Sequence, residues 1–235
     1  MSRDLVYGRR AVREALRGPR EVLELWATER AEKSEPWLAE APLRLQVKPD
    51  RALSEAAETR DHQGVVAWCS PYRYADAYEL AAAERPLIAC LDQVSDPRNL
   101  GAVCRSAEGA GATGVVLPAH GSATVTAAVC KASAGAVEHL PVAVVTNLAR
   151  WLGEVKRGDL WVYAASGDAE TPMWDADLTG GSILVFGAEG KGIRPLVRRT
   201  CDAAISIPLL GRVESLNVSV AAALLLYEAR RQRSG

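Results

Sequence analysis

A glycine-rich segment in the C-terminal half of the chain follows a run of apolar residues. The run Ile183–Phe186 has the pattern of a buried strand, and Gly187, Gly190 and Gly192 come directly behind it with Glu189 among them. Glycine lets the backbone approach a ligand closely and tolerates positive φ, so this segment is a candidate cofactor-binding loop. It is neither a phosphate-binding P-loop nor a dinucleotide fingerprint, because no serine or threonine follows its lysine and Glu189 interrupts the glycine spacing.

Two further polar segments also follow predicted strands. Asn99 and Arg105 come after the first buried strand of the C-terminal half, whereas Ser215 and Asn217 come after the last. Asn99 and Ser215 are also good helix caps, which is their structural alternative. Arg105 has small and apolar neighbours, which disfavours a purely solvated role. Asn217 falls in the expected first turn of a helix, where its side chain competes with the backbone. Both observations indicate functional residues.

Other kinds of chemistry are disfavoured. The segment Lys131–Gly135 contains a serine but has lysine where a nucleophile elbow needs glycine, and His139 is the one histidine that follows it nearby. The three histidines lie far apart, without carboxylates or thiols at metal-ligand spacing, so no metal site is predicted. The five cysteines are odd in number and form no C-x-x-C pair, as expected of free, reduced thiols.

The elements that must position these residues fall into two sets. Up to residue 70, a helix at Ala11–Leu16 and strands at Val22–Ala27 and Val65–Trp68 predict a small α/β domain. Residues 71–85 have the composition of a linker that carries one short helix. Residues 86–235 form the second predicted domain.

In this second domain, near-continuous apolar runs alternate with helix-length segments. The predicted strands are Leu87–Leu91, Gly114–Leu117, Val142–Val145, Leu160–Ala164, Ile183–Phe186 and Ala204–Ile207. Such a pattern predicts a parallel sheet covered on both faces, and ligands of such sheets bind beyond the carboxyl ends of the strands. A last helix is expected from Leu216 to Arg231, with a small apolar face.

The composition limits the class of protein. Of the 235 residues, 49% are hydrophobic and 24% charged, with a formal net charge of -1, so we expect neither disorder nor a uniformly basic surface. No segment reaches the roughly 18 apolar residues that a membrane span needs, and the charged N-terminus differs from a signal peptide. We therefore expect a cytoplasmic protein.

Arginines cluster near the N-terminus. Arg9, Arg10 and Arg13 are the candidates there for contacts with the phosphates of a nucleic acid. The alternative is that these side chains solvate an exposed helix face, and charge alone does not decide between the two.

The three C-terminal segments resemble the three motifs of the SpoU family of RNA ribose 2'-O-methyltransferases, in the SPOUT superfamily. The matching residues are Asn99, Gly101, Arg105, Gly187, Glu189, Gly190, Gly192, Ser215, Leu216 and Asn217. The N-terminal domain, with Tyr7, Gly8 and His62–Val65, resembles the RNA-binding domain of a subgroup that methylates a guanosine in large-subunit ribosomal RNA. The resemblance covers nearly the whole chain.

This resemblance implies a fold and a cofactor. The C-terminal part of the sheet is expected to be threaded into a deep trefoil knot, and the N-terminal domain to resemble a ribosomal protein of the large subunit. S-adenosylmethionine is expected to bind among the knot loops at Gly187, Ile207 and Leu216. The protein is expected to be a homodimer whose C-terminal domains meet through their final helices.

The resemblance also implies roles for the motif residues. Arg105 is expected to activate the ribose 2'-hydroxyl, and because arginine stays protonated we expect it to stabilise the developing alkoxide, with an RNA phosphate as the candidate proton acceptor. Asn99 and Glu189 are expected to orient Arg105 and the glycine loop. Ser215 and Asn217 are expected to position the cofactor or the ribose.

Three alternatives stay open. The same class of enzyme could act on transfer RNA, since the motifs would be shared. A non-catalytic RNA-binding or ribosome assembly protein could keep the fold. A nucleotide-dependent oxidoreductase is disfavoured because the glycine fingerprint is missing. The sequence does not identify the modified nucleotide.

Overall fold

The computed structural model describes residues 2–234, which divide into two compact units. One unit holds the residues up to Arg73 together with Thr124–His139, and the other holds Tyr74–Ala123 together with the residues from Leu140 onward. The change of unit after Arg73 falls within the predicted linker. The grouping of Thr124–His139 with the N-terminal unit was not indicated by the sequence, since that segment lies between two strands of the C-terminal sheet.

The helices and strands alternate along the described chain. In chain order they are β1 (Asp4–Tyr7), α1 (Arg9–Arg17), β2 (Val22–Ala27), α2 (Glu29–Ser34), β3 (Leu45–Val47), α3 (Asp50–Ala57), β4 (Val65–Cys69), α4 (Ala77–Ala82), β5 (Leu87–Asp92), α5 (Pro97–Gly109), β6 (Gly114–Pro118), α6 (Ala127–Ala132), β7 (Val142–Val145), α7 (Leu148–Val155), β8 (Leu160–Ala165), β9 (Thr171–Pro172), β10 (Gly181–Gly187), α8 (Pro195–Thr200), β11 (Ala203–Ser206) and α9 (Val218–Arg233). Short 3-10 turns cover Pro36–Leu38 and Ala136–Glu138.

The N-terminal unit is built on a four-stranded sheet in the order β1-β4-β2-β3. β4 pairs antiparallel with β1 and β2, and β2 pairs parallel with β3. Ala11, Val12 and Ala15 are buried on one side of α1, as expected of residues spaced by one helical turn. The predicted helix and strands of this unit are confirmed, whereas β1 and α2 were not predicted. Both are short, and their apolar residues are too few to show a period.

A buried ion pair ties Glu138 into the N-terminal unit. Arg20 donates from Nε to Glu138 at 2.9 Å and from a terminal nitrogen to the other carboxylate oxygen, and both side chains are buried. Burial acts to lower the pKa of Arg20, but the hydrogen bond and the charge of Glu138 outweigh it and raise the pKa. Glu138 therefore has its counter-charge within the same unit, which explains why Thr124–His139 packs there.

The C-terminal unit is built on a seven-stranded sheet in the order β7-β6-β5-β10-β8-β11-β9. All six neighbouring pairs of these strands are parallel, which confirms the predicted parallel α/β architecture. All six predicted strands are present, with bounds that differ by at most two residues. The threading of the chain into a trefoil knot stays a prediction. No helix among residues 2–234 is long and apolar enough to cross a membrane.

The sheet order brings distant parts of the chain together. β10 lies between β5 and β8, so the segments that follow these three strands meet at one edge of the sheet. Gly187, the last residue of β10, is in register with Asp92, the last residue of β5. This edge is therefore where the predicted motif residues should meet.

Asn99 and Ser215, which the sequence offered as helix caps, do not cap the helices at this edge. Asp96 caps α5 by accepting a hydrogen bond from the backbone of Arg98, so Asn99 is in the first turn and free for other contacts. Asn217 caps α9, which begins at Val218, whereas the predicted helix began at Leu216. Ser215 is therefore not the cap. An aspartate before Pro97 and an asparagine before Val218 are both preferred caps, which is the physical reason for these starts.

Candidate active site

A cavity of about 360 Å³ opens beyond the ends of β8, β10 and β11. We call it the strand-end cavity, and it is lined by Ala165, Ser166, Gly167, Phe186, Gly187, Ala188, Glu189, Gly190, Gly192, Ile193, Ile205, Ile207, Leu209, Glu214, Ser215, Leu216, Val218 and Ala221. The three residues expected to bind a cofactor, Gly187, Ile207 and Leu216, are all in this lining. The cavity thus lies where ligands of parallel sheets bind.

The glycine loop behind β10 folds back tightly on itself. The backbone N–H of Gly192 donates to the carbonyl of Ala188 at 2.8 Å. A Cβ atom on Gly187 would lie 2.0 Å from the carbonyl carbon of Gly192, so no larger residue fits there without moving the loop. Gly190 and Gly192 have φ of 74° and 65°, which favours glycine at both positions. The spacing of these glycines is therefore a requirement of the backbone.

A buried carboxylate holds the end of this loop. Asp92 is fully buried and accepts hydrogen bonds from the backbone N–H and the Nε of Arg194, each at 2.8 Å. A terminal nitrogen of Arg194 is also 2.7 Å from the carboxylate. The sequence analysis missed this pair because 102 residues separate its members. A signal was present, since an aspartate ending an apolar strand is rarely buried without a partner.

Three predicted motif residues form one hydrogen-bonded group, which we call the polar cluster: Asn99, Glu189 and Asn217. The side-chain amide of Asn217 donates to Oδ1 of Asn99 at 2.9 Å and to Oε1 of Glu189 at 2.6 Å. The amide of Asn99 donates to the same oxygen of Glu189 at 3.2 Å. Oδ1 of Asn217 meanwhile accepts from the backbone of Ser219, so one side chain both caps α9 and joins the cluster.

A second cavity, of about 380 Å³, adjoins the polar cluster. We call it the polar cavity, and it is lined by Gln93, Val94, Ser95, Asp96, Asn99, Gly121, Ala188, Glu189, Lys191 and Val218. Asp96 accepts hydrogen bonds from the exposed Arg98 side chain and backbone, which hold the pKa of this carboxyl below its usual value. Because Glu189 lines both cavities, the polar cluster lies where they meet.

The remaining predicted residues are not in this cluster. Ser215 lines the strand-end cavity. Arg105 is exposed on α5, lines neither cavity, and has no hydrogen bond to Asn99 or Glu189 in the described part of the chain. The expected orientation of Arg105 by those two residues is therefore not seen within one chain.

The arginines predicted to contact RNA lie in the N-terminal unit. Arg10 and Arg13 are exposed on α1. Arg9 is partly buried, and its side chain donates to Glu35 at 2.7 Å and to the carbonyl of Gln63 at 3.1 Å. Arg9 is therefore also part of the packing of this unit.

The two cavities suit different ligands. The strand-end cavity offers apolar side chains such as Ile205 and Ile207, the main chain of the glycine loop, and the carboxylates of Glu189 and Glu214. This set suits a flat aromatic ligand that carries a positive charge, since apolar walls hold the ring and carboxylates attract the cation. The polar cavity offers amides and hydroxyls, which suit a sugar or a base. The arrangement can therefore bring two different ligands together at Glu189.

Comparison with known families gives matches over both parts of the chain. A model described as the SpoU rRNA Methylase family matches residues 86–227. A model described as RNA 2'-O ribose methyltransferase substrate binding matches residues 5–75.

Individual proteins are similar along their whole length. The chain is 41% identical over 241 residues to the putative TrmH family tRNA/rRNA methyltransferase YacO of Bacillus subtilis, covering 98% of this chain and 96% of that protein. It is 43% identical over 242 residues to the 23S rRNA (guanosine-2'-O-)-methyltransferase RlmB of Pseudomonas putida, covering 97% and 96%. Among solved structures, the SpoU methyltransferase AviRb from Streptomyces viridochromogenes in complex with the cofactor AdoMet matches with a TM-score of 0.82 and 26% identity, over 98% of this chain and 90% of that chain.

Proposed function

This chain belongs to the SpoU rRNA methylase family, and we propose that it methylates the ribose 2'-hydroxyl of a guanosine in 23S ribosomal RNA, with S-adenosylmethionine as the methyl donor. The observation that carries the proposal is the polar cluster at the meeting point of the two cavities. The name of the Pseudomonas putida relative supports the choice of substrate, and the bound cofactor of AviRb supports the donor.

The strand-end cavity fits the cofactor. When bound, S-adenosylmethionine supplies an electrophilic methyl group that a hydroxyl oxygen can attack in line. Gly187, Ile207 and Leu216 would hold it, the first by leaving room at the backbone and the other two by apolar contact. Glu189 and Glu214 provide negative charge for its sulfonium group. Asp92 and Arg194 keep the end of the glycine loop in place.

The polar cavity would hold the ribose. The amide of Asn217 fixes Asn99 and Glu189 relative to each other, so their remaining polar atoms can orient a hydroxyl. Ser215, at the edge of the cofactor cavity, would assist in positioning. Arg105 would stabilise the alkoxide that develops as the 2'-hydroxyl loses its proton, because a guanidinium is a permanent cation with several donors. An RNA phosphate is the proposed proton acceptor.

In a homodimer, Arg105 of one protomer would reach the polar cluster of the other. α9 packs on α5 and exposes Val220, Leu224 and Tyr227, an apolar face suited to a two-fold contact with a second copy. In such a dimer the unpaired guanidinium of Arg105 would lie near the other protomer. We therefore propose that Arg105 of one protomer serves the polar cluster of its partner.

Co-expression of two inactive variants tests this arrangement. Arg105→Ala and Asn217→Asp protomers, carrying different tags, should be inactive alone. If Arg105 acts across the dimer, each heterodimer has one intact site, and a random mixture should recover about a quarter of the wild-type activity. If Arg105 acts within its own chain, no activity returns.

The experiment that tests the function is methyl transfer from radiolabelled S-adenosylmethionine to separated large-subunit rRNA, small-subunit rRNA and tRNA. We expect label in the large-subunit RNA, in a form that resists alkali at one ribose linkage. Arg105→Ala should lose about 100-fold or more of the rate, as for other donors that stabilise an oxyanion. Cofactor binding without label in any RNA would overturn the catalytic assignment and favour an RNA-binding or assembly protein.

The second candidate substrate is transfer RNA. It is favoured by the name of the Bacillus subtilis relative, which includes both RNA classes. Label in tRNA alone would establish it. Arg9, Arg10 and Arg13 would contact RNA phosphates in either case, and because both substrates are intracellular RNAs we place the activity in the cytoplasm.

A further inference from the structure

The N-terminal unit has a pocket of its own, far from the motif residues in sequence. Its volume is about 380 Å³, and we call it the arginine pocket. Its polar lining includes Arg9, Arg30, Asp50, Arg60, His62 and Gln63. Pockets of this size accommodate ligands as large as a nucleotide.

The pocket is formed around a turn with an uncommon backbone. His62–Val65 closes with a hydrogen bond from the N–H of Val65 to the carbonyl of His62 at 3.0 Å. Gln63 and Gly64 both have positive φ, 54° and 79°, and a Cβ on Gly64 would lie 2.6 Å from the hydroxyl of Thr28. Two successive positive φ values are those of a type I' turn, in which glutamine is uncommon. The backbone N–H of Arg9 donates to Oε1 of Gln63 at 3.2 Å, which holds this side chain at the pocket and leaves its amide N–H groups for a ligand.

His62 fixes the turn through its two ring nitrogens. Its side chain is buried, and Nδ1 accepts a hydrogen bond from the backbone N–H of Gly64 at 3.0 Å. Because a backbone N–H can only donate, Nδ1 carries no proton, and Nε2 donates to the hydroxyl of Ser54 at 3.0 Å. Both ring nitrogens are thereby satisfied within the protein.

The charges of the pocket are not balanced. The Arg9 guanidinium is paired with Glu35, at 2.7 Å. Arg30 and Arg60 are exposed, and their guanidiniums have no hydrogen bond or ion pair within residues 2–234, while Asp50 is the one acidic residue of the lining. Two unpaired guanidiniums beside a cavity attract an anion, and their planar shape matches the oxygens of a phosphate.

We propose that the arginine pocket binds one nucleotide of a single-stranded part of the RNA substrate, with Arg30 and Arg60 on its phosphates and Gln63 beside its base. This inference rests on the proposed function, since it assigns an RNA contact distant in sequence from the methylation site. RNA fits better than an acidic peptide because the pocket places unpaired guanidiniums beside a side-chain amide, and single-stranded RNA offers phosphates and accessible bases together.

The test compares three variants of the full-length protein. Arg30→Gln/Arg60→Gln removes both charges. Arg30→Lys/Arg60→Lys keeps them. Arg150→Gln/Arg199→Gln removes two exposed arginine charges from the C-terminal unit and serves as the matched control. Binding to unmodified 23S rRNA transcribed in vitro is measured by filter retention between 50 and 200 mM salt, together with S-adenosylmethionine binding and methyl transfer.

The glutamine pair should bind the RNA about tenfold more weakly, and the slope of log affinity against log salt should fall by about 1.4, or about 0.7 for each lost phosphate contact. The lysine pair should keep the slope. Cofactor affinity should not change in any variant.

An unchanged slope in the glutamine pair, or an equal change in the control pair, would overturn the proposal even if the wild-type protein methylates the RNA. If the wild-type protein binds the RNA with the expected slopes but does not methylate it, the proposed function fails and the pocket assignment stands. If the wild-type protein does not bind the RNA, both fail.

Discussion

The strand-end cavity and the arginine pocket are built from different parts of the backbone. The first is formed by the carboxyl ends of parallel strands and a glycine loop, so that main chain and apolar side chains line it. The second is formed by a turn between α3 and β4 and by long side chains around it. The first can therefore be shaped to one ligand, whereas the second presents charges that adapt to a flexible one.

The two sites therefore depend on different forces. Apolar contact and close backbone approach are insensitive to salt, while attraction between guanidiniums and phosphates is screened by it. Substitutions at the edge of the C-terminal sheet should then alter cofactor affinity and the rate of methyl transfer. Changes in the N-terminal unit should alter RNA affinity.

The largest expected effect concerns the fold of the unit that bears the arginine pocket. Arg20→Ala leaves Glu138 buried without a counter-charge, which should cost about 3–5 kcal/mol of the free energy of unfolding of that unit. Urea unfolding with limited proteolysis measures it. Arg17→Ala is the control, because its ion pair with Glu14 is exposed and should contribute less than about 1 kcal/mol. Equal loss in both variants would contradict the ion-pair argument.

The second largest effect should be a loss of turnover caused by a substitution in the polar cluster. Asn217→Asp places a second carboxylate beside Glu189 and removes the amide donors, so turnover should fall about 100-fold, or about 2.7 kcal/mol. Asn217→Ser lacks the added charge and should lose less. Both residues cap helices well, so thermal stability should change little. The expected pattern is lost turnover with unchanged RNA affinity, and weaker RNA binding would break the division between the two regions.

Gly187→Ala should weaken cofactor binding. The new methyl group collides with the backbone of Gly192, and overpacking of this kind costs about 1–3 kcal/mol, which corresponds to about five- to 150-fold in Kd. Calorimetry with S-adenosylmethionine measures it. Gly158→Ala, where a Cβ meets nothing within 4 Å, is the control. An unchanged Kd for the Gly187 variant would show that the glycine loop can move to make room for the methyl group, and would contradict this prediction.

Salt should separate the two sites in the wild-type protein. With the five phosphate contacts proposed above, each contributing about 0.7 to the slope, raising salt from 50 to 200 mM should weaken RNA binding about 130-fold. The Kd for S-adenosylmethionine should change much less, because its apolar contacts are not screened and Glu189 and Glu214 face a single sulfonium charge. An equal loss of RNA affinity and cofactor affinity would contradict the claim that the two sites depend on different forces.

Alkylation of cysteines should have the smallest effect. Among the described residues, no cysteine lines the strand-end cavity, the polar cavity or the arginine pocket. Burial raises the pKa of Cys69 and Cys201 to about 11. Because the raised pKa leaves very little thiolate at pH 7.5, iodoacetamide should react slowly with these thiols and leave methyl transfer unchanged. Labelling should accelerate as pH rises towards 11. Rapid loss of activity at pH 7.5 would contradict this.

The strands of the C-terminal sheet could be predicted from the sequence because parallel strands are buried on both faces and appear as unbroken apolar runs. β1 could not, because it is short and lies at the edge of its sheet. The helix caps were also misplaced, since several residues near each helix start are suitable caps and packing selects among them.

The motif residues were predicted from their types and order, but their contacts were not. Asn99, Glu189 and Asn217 were all singled out in the sequence, yet their hydrogen bonds depend on β10 lying beside β5, a pairing between distant segments. Arg105 was expected to be oriented by Asn99 and Glu189 and has no hydrogen bond to either within residues 2–234. Asp92–Arg194 and Arg20–Glu138 were missed for the same reason, since each joins residues more than 100 positions apart.

The parallel α/β architecture, the family and the motif residues could all be predicted from the sequence, because strand burial and glycine requirements are local properties of the chain. The tertiary structure alone decided which of those residues touch, which charges are paired, and that Arg30 and Arg60 stand unpaired beside a pocket. The physical reason is that hydrogen bonds and ion pairs depend on distances of a few ångströms between segments whose separation along the chain carries no such information.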